Sequence, residues 1–540
     1  MDSQLYEAAN AKPRSKPVVW TIAGSDSGGG AGIQADLTTM NDLQCHACTV
    51  ITAVTAQNSV SVDHIYPLDD SILLAQLNCL LNDLPPDAIK VGLLVNQAQL
   101  DCLVRWFRSE LATYQQNVAK KIPIILDPVM VATCGDTLAS MLDYSALRGV
   151  LTLITPNAKE LEQLSGEGLK STDKFSDAAE QLAIDLNTNV LAKGGDRGGF
   201  WHDKYAKDLF ICRSASHTSL THQQRPFVLS SPRSDNPNNH GSGCTLSSAI
   251  AAFMAHDYVL HDAILLAKAY VSAGIAHAQP IGRGAGSLAR MGWPTDLALF
   301  PTILSNDDRP ILPDDLNFTR LTYGLDIYPV VDSVELLETL LINGAVTVQL
   351  RIKIAENFNE QMLEQQIVRA IALGRRYKAQ VFINDHWQLA LKHKAFGVHL
   401  GQEDLFDADL VQIASKGLAL GLSSHGYFEL KLAAQINPSY IAIGHIFATT
   451  TKSMPSQPQG VVKLHRYVNL LSGHFPSVAI GGIDAHNLED LAVTGVDACA
   501  VVRAITQAKS PAVAYQFLSR LWMHSSKGSF NHLQEVASGH

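Results

Sequence analysis

Short apolar segments alternate with amphipathic ones along most of the chain, and the alternation is clearest in the C-terminal half. Segments such as VELLETLLINGA and EQMLEQQIVRAIALGRRY carry apolar residues at steps of three and four, which predicts helices. The β-rich runs that predict strands are YPVV, VTVQL, QVFI, GVHL, LALGL, YIAIG, SVAIG and ACAVV. Eight such units in about 200 residues predict a parallel (β/α)8 barrel, with a doubly wound open sheet as the alternative.

The N-terminal half also alternates, but its strand-like runs are apolar almost without interruption: VVWTIAG, CTVITAVTAQ, AIKVGLL, PIILDPVM, LTLITPN and NVLAKGG. The segments SILLAQLNCLLNDL, AKELEQL and KFSDAAEQLAID follow helical periodicity. Strands without polar alternation are buried on both faces, so we expect an α/β domain with a parallel-rich sheet between helices. Residues 199–231 predict a strand hairpin, and CTLSSAIAAFMA after it predicts a helix.

Segments rich in turn-forming residues divide the chain into domains. GRGAGSLARMGWP and SNDDRPILPDD concentrate Gly, Pro and Asp, which predicts a linker over residues 288–320. This linker would join a domain at residues 17–287 to a barrel at residues 321–525. The polar residues 1–16 are expected to be disordered, and residues 526–540, with little apolar periodicity, to form a flexible tail.

Composition and charge exclude several functional classes. Hydrophobic residues make up 46% of the chain and charged residues 17%, as in a folded globular protein. The formal net charge of −10 argues against a nucleic-acid partner, which usually requires a basic face. No apolar run reaches the roughly eighteen residues that span a bilayer, and the polar start lacks the apolar core of a secretory signal. Eight scattered cysteines are typical of reduced thiols, so we expect a cytoplasmic protein without a membrane partner.

Polar residues follow six consecutive predicted strands of the C-terminal half. They are Arg351, Lys353, Asn384, Asp385, Gln402, Glu403, Asp404, Ser423, Thr449, Thr450, Thr451, Lys452, Gly481 and Gly482. In a (β/α)8 barrel the residues just after each strand converge at one face, where the active site lies. The aspartates offer the oxygen ligands that Mg²⁺ prefers, the cations suit phosphate oxygens, and the glycine pair lets backbone amides approach a second phosphate. The pattern predicts a site for a magnesium-bound pyrophosphate.

The segments QLRIK, INDHWQLAL, GVHLGQEDL, GLSSH, ATTTKS and VAIGGI make residues 321–525 resemble the thiamine-phosphate synthases, which are TIM barrels. The resemblance implies that Asp385 and Asp404 hold Mg²⁺ and that Arg351 and Lys452 are catalytic. It implies a pyrimidine-diphosphate site formed by Gln349, Leu350, Arg351, Ile352, Lys353, Asn384, Ser423 and Lys452. It also implies a thiazole-phosphate site formed by Thr449, Thr450, Thr451, Gly481, Gly482, Val502 and Arg503.

The reaction that this resemblance implies is dissociative. Mg²⁺ and the cations stabilise the departing pyrophosphate, the aminopyrimidine stabilises the resulting methylene cation, and the thiazole nitrogen captures it. Two positions depart from the family pattern. Arg503 stands where the family usually has a serine, and it either reaches the thiazole phosphate or points to solvent. His445 replaces a frequent proline, which we interpret as a loop substitution without function.

Two glycine-rich turns precede helices in the N-terminal half. AGSDSGGGAGIQADL is weak evidence by itself, and it lacks the Gly-Lys-Ser/Thr ending of a Walker A loop. Gly241-Ser242-Gly243-Cys244 opens a helix, where exposed amides can stabilise a transferring phosphoryl group. We expect the helix dipole to lower the pKa of a cysteine at this position, with a small buried Cys beside an ordinary turn as the alternative.

Both turns, together with VITAVTAQNS, IKVGLL, LDPVM, LITPNAKEL and LAKGGD, make residues 17–287 resemble the ribokinase-like hydroxymethylpyrimidine/phosphomethylpyrimidine kinases. The resemblance implies an anion hole at Gly241, Gly243 and Cys244. There Cys244 either assists deprotonation of the substrate hydroxyl or supports the anion hole alone. The resemblance also implies that the pyrimidine contacts Gly24, Asp36, Gln57 and Val129. The ATP and Mg²⁺ side would be formed by Asp127, Asn157, Glu160 and Lys193.

The two resemblances describe consecutive steps of thiamine biosynthesis. The kinase would use ATP to convert hydroxymethylpyrimidine to its mono- and diphosphate, and the synthase would condense the diphosphate with thiazole phosphate. We expect these small molecules, ATP and Mg²⁺ as partners, and a homo-oligomer. Two alternatives are open: a kinase that prefers pyridoxal, and a barrel kept as a non-catalytic binding module. Residues 214–239 are either a mobile lid or an inert insertion.

Overall fold

A computed structural model describes residues 16–537, except 132–137, 139–140, 167, 170, 196–203, 214–224, 315, 354–358 and 450–456. The chain forms two compact units that divide between Arg309 and Pro310. All but the last residue of the segment expected to be disordered, 1–16, lies outside the described residues. The same holds for Thr450, Thr451 and Lys452.

A ten-stranded sheet forms the centre of the described part of the first unit. Its strands are β1 (Val18–Ser25), β2 (His46–Gln57), β3 (Val62–Pro67), β4 (Ala88–Val91), β5 (Ile124–Leu126), β6 (Leu153–Ile154), β7 (Asn189–Lys193), β8 (Tyr205–Ile211), β9 (Phe227–Pro232) and β10 (Thr302–Ser305). Their order is β10-β9-β8-β7-β6-β5-β4-β1-β2-β3, parallel from β7 to β2 and antiparallel at both edges. The predicted parallel-rich sheet is confirmed, and the predicted hairpin is the β8–β9 pair.

Helices pack on this sheet. They are α1 (Gly32–Asp42), α2 (Asp70–Asp83), α3 (Gln97–Trp106), α4 (Ala112–Val118), α5 (Ala158–Ser165), α6 (Thr172–Leu186), α7 (Ser242–Ala255) and α8 (Leu260–Ala276). A π-helical turn (Phe107–Leu111) joins α3 to α4, and short 3₁₀ helices lie at Tyr144–Leu147 and Leu297–Leu299. Helices α7 and α8 are apolar on nearly every side and are therefore buried almost completely.

The structure corrects the predicted linker at residues 288–320. Leu297, Phe300 and Ile303 are buried in the first unit, and β10 pairs with β9 at the edge of its sheet. Beyond the division, the Thr319 amide donates to the Leu418 carbonyl within the second unit. Gly, Pro and Asp mark turns, but they do not show that the apolar residues between them join a core.

The described residues of the second unit form a closed, eight-stranded parallel barrel, which confirms the predicted architecture. Its strands are β11 (Asp326–Val331), β12 (Thr347–Leu350), β13 (Gln380–Asn384), β14 (Gly397–Leu400), β15 (Ala419–Ser424), β16 (Tyr440–Ile443), β17 (Ser477–Ile480) and β18 (Ala498–Val501). The strands are parallel throughout, and β18 pairs with β11 to close the ring.

The helices of the second unit follow the barrel strands. They are α9 (Val334–Ile342), α10 (Glu360–Tyr377), α11 (Trp387–Lys392), α12 (Gln402–Leu405), α13 (Leu410–Ser415), α14 (Tyr427–Gln435), α15 (Gly460–Leu471), α16 (Leu488–Ala492), α17 (Arg503–Thr506) and α18 (Pro511–Ala537). Across the described residues of both units, no helix has the length and apolarity that crossing a membrane requires.

Helix α18 extends into the predicted tail at residues 526–540, since its backbone is helical through Ala537, and the flexibility of this tail stays a prediction. Trp522 is buried on this helix, and Ser525 and Ser526 donate hydrogen bonds to the carbonyls four residues earlier. A helix that has already formed adds residues at little cost, so a polar sequence can extend it.

Candidate active sites

A cavity of about 870 Å³ lies in the first unit, beside the carboxyl ends of the central strands and the start of α7. The predicted residues that line it are Gly24, Gln57, Asp127, Val129, Asn157, Glu160, Lys193, Gly241, Gly243 and Cys244. Of the predicted kinase residues, Asp36 alone does not line it. The carboxyl ends of parallel strands meet at one edge of the sheet, so residues far apart in sequence converge there.

Asp26 holds the first glycine-rich turn in place. Its carboxylate accepts hydrogen bonds from the amides of Gly28 (2.8 Å), Gly30 (3.0 Å) and Ala31 (2.8 Å). His240 Nε2 lies 3.5 Å from the same carboxylate. Burial would raise the pKa of Asp26, but the contacts with His240 and the turn amides outweigh burial and hold it below its usual value. The turn is thereby attached to the loop that leads into α7.

Gly241 is the point at which the two glycine-rich turns touch. Its backbone is left-handed, with φ at +76°, and a Cβ here would lie 2.0 Å from the carbonyl oxygen of Gly30. Glycine is therefore required for both conformation and space. Gly241 is also the N-cap of α7, whose first amides have no acceptor within their own helix and can bind an anion.

Cys244 lies in the first turn of α7, but the expected lowering of its pKa is wrong. Burial raises the pKa of this thiol to about 11, and the nearby Lys90 ammonium offsets only part of the rise. Burial costs the thiolate more hydration free energy than its interactions with the helix dipole and one cation return. The side chain is consequently a neutral thiol at neutral pH, whereas the amides of the same turn need no ionisation to bind an anion.

Lys90 and Asp36 form an ion pair next to Cys244, with 2.7 Å between Nζ and Oδ2 and both side chains fully buried. Asp36 also accepts hydrogen bonds from Thr21 Oγ1 (2.5 Å) and Ser248 Oγ (2.6 Å). Burial would lower the pKa of Lys90, but the Asp36 carboxylate outweighs burial and raises it. Lys90 lines the cavity and Asp36 does not. Asp36 thus supports Lys90, which differs from the predicted contact with the pyrimidine.

Asp127 and Lys193 form a second ion pair, 2.9 Å long, at the ends of β5 and β7. Thr155 Oγ1 donates to the same carboxylate at 3.2 Å. Burial would raise the pKa of Asp127, but Lys193 and Lys90 outweigh burial and lower it, so the group is a carboxylate. A Cβ at Gly243 would lie 3.2 Å from Lys193 Nζ, which puts this ammonium beside the anion-binding turn.

Asn157 and Glu160 form a reciprocal cap at the start of α5. Asn157 Oδ1 accepts from the Glu160 amide at 2.9 Å, and Glu160 Oε2 accepts from the Asn157 amide at 2.7 Å. Both residues line the cavity. This capping box satisfies two amides that a helix start leaves without acceptors. It therefore gives a structural reason, beside any role in binding, for an asparagine and a glutamate three residues apart.

An apolar wall and an amide stand at the other end of the cavity. A Cβ at Gly24 would lie 3.0 Å from Leu93 Cδ2, and Leu93 and Val129 belong to one small apolar cluster. Gln57 Oε1 accepts from Thr55 Oγ1 at 3.3 Å. An apolar surface beside one side-chain amide suits a flat heterocycle with polar atoms on its edge.

A buried ion pair that was not predicted joins Lys268 of α8 to Asp208 of β8, and both residues line the cavity. Lys268 is the sole charged residue in the run AILLAKAYVSAGIA, and a lysine in such an apolar segment is the feature from which a buried ion pair could have been predicted. A second feature that was not predicted is the wall that begins at the end of β9, formed by Pro232, Arg233, Ser234, Asn236, Pro237 and Asn239. The described part of residues 214–239 therefore contributes β9 and a side of the cavity.

Two carboxylates meet at the carboxyl end of the barrel. Asp385 follows β13, and Asp404 lies in α12 just after β14. Burial and the adjacent Asp404 carboxylate raise the pKa of Asp385 to about 6, and Arg351 opposes part of this rise. Adjacent carboxylates repel each other, and a divalent cation removes this repulsion. Paired oxygen ligands beside an arginine suit Mg²⁺ that also binds phosphate oxygens.

The predicted diphosphate residues come from neighbouring strands. Gln349 and Leu350 end β12 and are buried, Asn384 ends β13, and Ser423 lies at the end of β15. Arg351, Ile352 and Lys353 continue directly from β12. Because Asn384 pairs in register with His399 of β14, the ends of these strands lie side by side.

The Gly481-Gly482 turn packs against the segment that follows β16. Both glycines have left-handed φ values, +105° and +67°, and a Cβ at Gly482 would lie 2.6 Å from the Ala448 carbonyl oxygen. His445, which is buried, occupies the space beside Gly481. Thr449 follows on this segment, while Val502 and Arg503 follow β18 and are partly buried.

His399 is a further residue that the sequence analysis missed. Its Nε2 lies 2.9 Å from Ser423 Oγ, and its Nδ1 lies 2.8 Å from Tyr440 OH. Burial, with a contribution from Arg351, lowers the pKa of His399 to about 3, so the ring is neutral at physiological pH. A histidine within the strand GVHL was the available signal, since an imidazole inside a barrel needs partners.

Comparison with known proteins matches the two units to two families. Residues 26–289 match the phosphomethylpyrimidine kinase family, and residues 327–505 match the thiamine monophosphate synthase family. A thiamine-phosphate synthase from Pectobacterium atrosepticum is 54% identical over 197 residues, which cover 36% of this chain and 91% of the relative.

Two solved structures are similar to the first unit. A pyridoxal kinase from Bacillus subtilis in complex with ADP is 29% identical and has a TM-score of 0.42; the match covers 51% of this chain and 98% of that one. A phosphomethylpyrimidine kinase from Clostridium difficile is also 29% identical, with a TM-score of 0.37 and coverage of 48% and 98%.

Proposed function

Because the chain belongs to the thiamine-phosphate synthase family and carries a phosphomethylpyrimidine kinase domain, we propose how its two sites perform consecutive steps of thiamine biosynthesis. The enzyme is bifunctional. It phosphorylates hydroxymethylpyrimidine with ATP to the monophosphate and then to the diphosphate, and it condenses the diphosphate with thiazole phosphate to thiamine phosphate and pyrophosphate. The observation that carries this conclusion is the presence of both domains on one chain.

In the kinase site, the pyrimidine lies against Leu93 and Val129, with Gln57 at its polar edge. Its hydroxymethyl group points to the Gly241–Cys244 turn, where the amides of α7 stabilise the transferring phosphoryl group. Lys193 supplies a cation beside this turn, and Asp127 holds that cation in position. Cys244 starts as a neutral thiol. It therefore acts as a base only if substrate binding lowers its pKa, and otherwise it supports the anion hole.

Asp127, Asn157 and Glu160 face the ATP phosphates, and we propose that they organise Mg²⁺ through water. This arrangement is supported by their common position on the cavity wall and by the carboxylate state of Asp127. When bound, the ion would neutralise the charge of the ATP phosphates. Lys268 and Asp208 line the same cavity and form a further part of its charged wall.

In the synthase site, Arg351, Lys353 and Asn384 hold the diphosphate, and Asp385 and Asp404 bind Mg²⁺. When bound, the ion would stabilise the departing pyrophosphate as a Lewis acid. Arg351 does the same through a planar pair of donors. The buried strand ends exclude water from the methylene cation, which the thiazole nitrogen then captures. Thr449 and the Gly481-Gly482 turn hold the thiazole phosphate, and Lys452 assists at the diphosphate.

A one-pot assay tests the assignment. Full-length protein receives hydroxymethylpyrimidine, thiazole phosphate, ATP and Mg²⁺, and we expect thiamine phosphate and pyrophosphate in equal amounts. If neither appears, the pyrimidine diphosphate is supplied directly: recovery would count against the kinase assignment, and continued silence against the synthase assignment. A parallel reaction with pyridoxal as the acceptor checks the substrate, since faster turnover of pyridoxal would contradict the pyrimidine assignment.

Several expectations about the setting of the enzyme stay predictions. They are a cytoplasmic location, a homo-oligomeric state and the lack of a nucleic-acid partner. Fusion of the domains raises the supply of the kinase product near the synthase, without requiring a channel between them.

A further inference from the structure

A chain of hydrogen bonds crosses the interior of the barrel and ends at Ser423. Gln349 Nε2 lies 3.2 Å from Tyr328 OH, and Tyr328 OH lies 2.9 Å from Tyr440 OH. Tyr440 OH lies 2.8 Å from His399 Nδ1, and His399 Nε2 lies 2.9 Å from Ser423 Oγ. The five side chains come from five different strands, so only the closed barrel brings them together.

The number of protons sets the direction of this chain. The amide nitrogen of Gln349 can only donate, so the Tyr328 oxygen accepts and its single hydrogen goes to the Tyr440 oxygen. The Tyr440 hydrogen then goes to His399 Nδ1. Because Nδ1 accepts from Tyr440, the ring hydrogen is on Nε2, which donates it to Ser423 Oγ. The Ser423 hydrogen is left to point away from His399.

We propose that Tyr328, Tyr440 and His399 are positioning residues that make Ser423 a fixed hydrogen-bond donor to the substrate. This inference rests on the proposed role of Ser423 at the pyrimidine. A hydroxyl that can rotate freely serves either a donor or an acceptor, whereas a hydroxyl that already accepts from a fixed N–H turns its own proton away from that donor and offers it on the other side. The substrate group that can accept the Ser423 proton is an unprotonated ring nitrogen of the aminopyrimidine.

The fixed direction also selects among substrates. An analogue with an oxo group in place of the amino group carries a hydrogen on the adjacent ring nitrogen. This N–H would face the Ser423 proton, and two donors in contact leave a buried polar group without an acceptor. Discrimination against the oxo analogue should therefore depend on residues that do not touch the substrate.

Nitrogen-15 NMR of the full-length protein labelled at histidine tests the direction without turnover. The His399 signals are identified by their loss in His399→Gln. We expect the Nε2–H tautomer, with signals that do not titrate between about pH 5 and 8, where ordinary histidines change charge. The Nδ1–H tautomer would overturn the proposal, because Nε2 would then accept the Ser423 proton and leave none for the substrate.

Two single-hydroxyl variants test the consequence. Tyr440→Phe removes the donor to Nδ1, so we expect a shift toward Nδ1–H, about tenfold lower kcat/KM for the pyrimidine diphosphate and weaker discrimination against its oxo analogue. Tyr328→Phe should keep the Nε2–H tautomer and lower kcat/KM less. Tyr467→Phe is the matched control, since the buried Tyr467 hydroxyl donates to Gln459 and takes no part in the hydrogen bonds that lead to Ser423.

Wild-type kinetics and an unchanged tautomer in Tyr440→Phe would refute the proposal. An Nε2–H tautomer in a protein that makes no thiamine phosphate would instead refute the synthase function and leave the hydrogen-bond direction intact. The two failures are thus distinguishable.

Discussion

At the kinase cavity, three lysines that line the wall each pair with a buried aspartate: the pairs are Lys90–Asp36, Lys193–Asp127 and Lys268–Asp208. At the barrel mouth the reverse holds, because Asp385 and Asp404 face each other and the pKa of Asp385 rises to about 6. Both sites are proposed to bind phosphate groups together with Mg²⁺. Lysines balance these three kinase aspartates, whereas Asp385 and Asp404 each lie beside another carboxylate.

The difference matches the chemistry of each site. The kinase site must accept ATP and two successive pyrimidine substrates, and internal ion pairs keep its walls fixed as the ligands change. The synthase site must stabilise a leaving pyrophosphate, and two adjacent carboxylates give it affinity for the ion that this group is proposed to carry. The comparison predicts that the kinase tolerates little change in its ion pairs and that the Mg²⁺ requirement of the synthase changes with pH.

The largest effect is expected for Cys244→Ala. We expect kinase activity to fall by about 10² to 10⁴ if the thiol acts as a base, which is the usual contribution of such a group, while synthase activity is unchanged. The rates are measured separately, with hydroxymethylpyrimidine and with the pyrimidine diphosphate. Cys79→Ala, an exposed cysteine of the same unit, is the control. A fall of less than about fivefold would limit Cys244 to the anion hole, where Ala keeps the amide.

Asp385→Asn should lower synthase activity by about a thousandfold, because a ligand of the ion that stabilises pyrophosphate is lost. Kinase activity should not change, and Asp490→Asn on the exposed face of α16 should affect neither activity. A parallel loss of kinase activity would contradict two independent sites.

Lys90→Met should destabilise the first unit by about 3–5 kcal/mol, because it leaves the Asp36 charge buried without its cation. Hydrogen-exchange mass spectrometry of the full chain measures each unit separately. Lys207→Met is the control, since the partner of Lys207, Asp308, is 40% exposed and its charge stays solvated. Equal destabilisation in both variants would show that burial of the Lys90 pair is unimportant.

The smallest expected effect is a pH dependence of the synthase. The pKa of Asp385 is raised to about 6, so below that pH a proton competes with Mg²⁺. We expect the Mg²⁺ concentration for half-maximal activity to rise about tenfold per pH unit below pH 6 and to level off above it. A flat Mg²⁺ requirement between about pH 5 and 7 would contradict the coupling of the two carboxylates.

The same raised pKa has a consequence for stability. The folded protein binds the Asp385 proton more tightly than the unfolded chain does, so this group stabilises the barrel at low pH and loses that contribution as pH rises through about 6. His399 acts in the opposite sense. Its folded pKa is depressed to about 3, so its contribution is present above the unfolded value near 6.5 and is lost as pH falls toward 3.

The periodicity of apolar residues was sufficient to predict the eight barrel strands, the central strands of the sheet and the helices at Asp70–Asp83 and Thr172–Leu186. These elements have a regular apolar face, so local sequence carries the signal. The same reasoning missed β3 and the contribution of residues 288–309 to the first unit. Their strands lie at sheet edges and depend on a partner far away in sequence.

By itself, the sequence determined the two domains, the barrel strands and the central strands of the sheet, because their apolar patterns are local features. The tertiary structure alone decided the ionisation of Cys244, Asp385 and His399, since burial and partners from other strands set each pKa. It also decided that Asp36 supports Lys90, and that Gln349 and Ser423 are ends of one hydrogen-bonded chain. Spacing along a sequence does not encode such contacts, because they form only when the barrel closes and the sheet assembles.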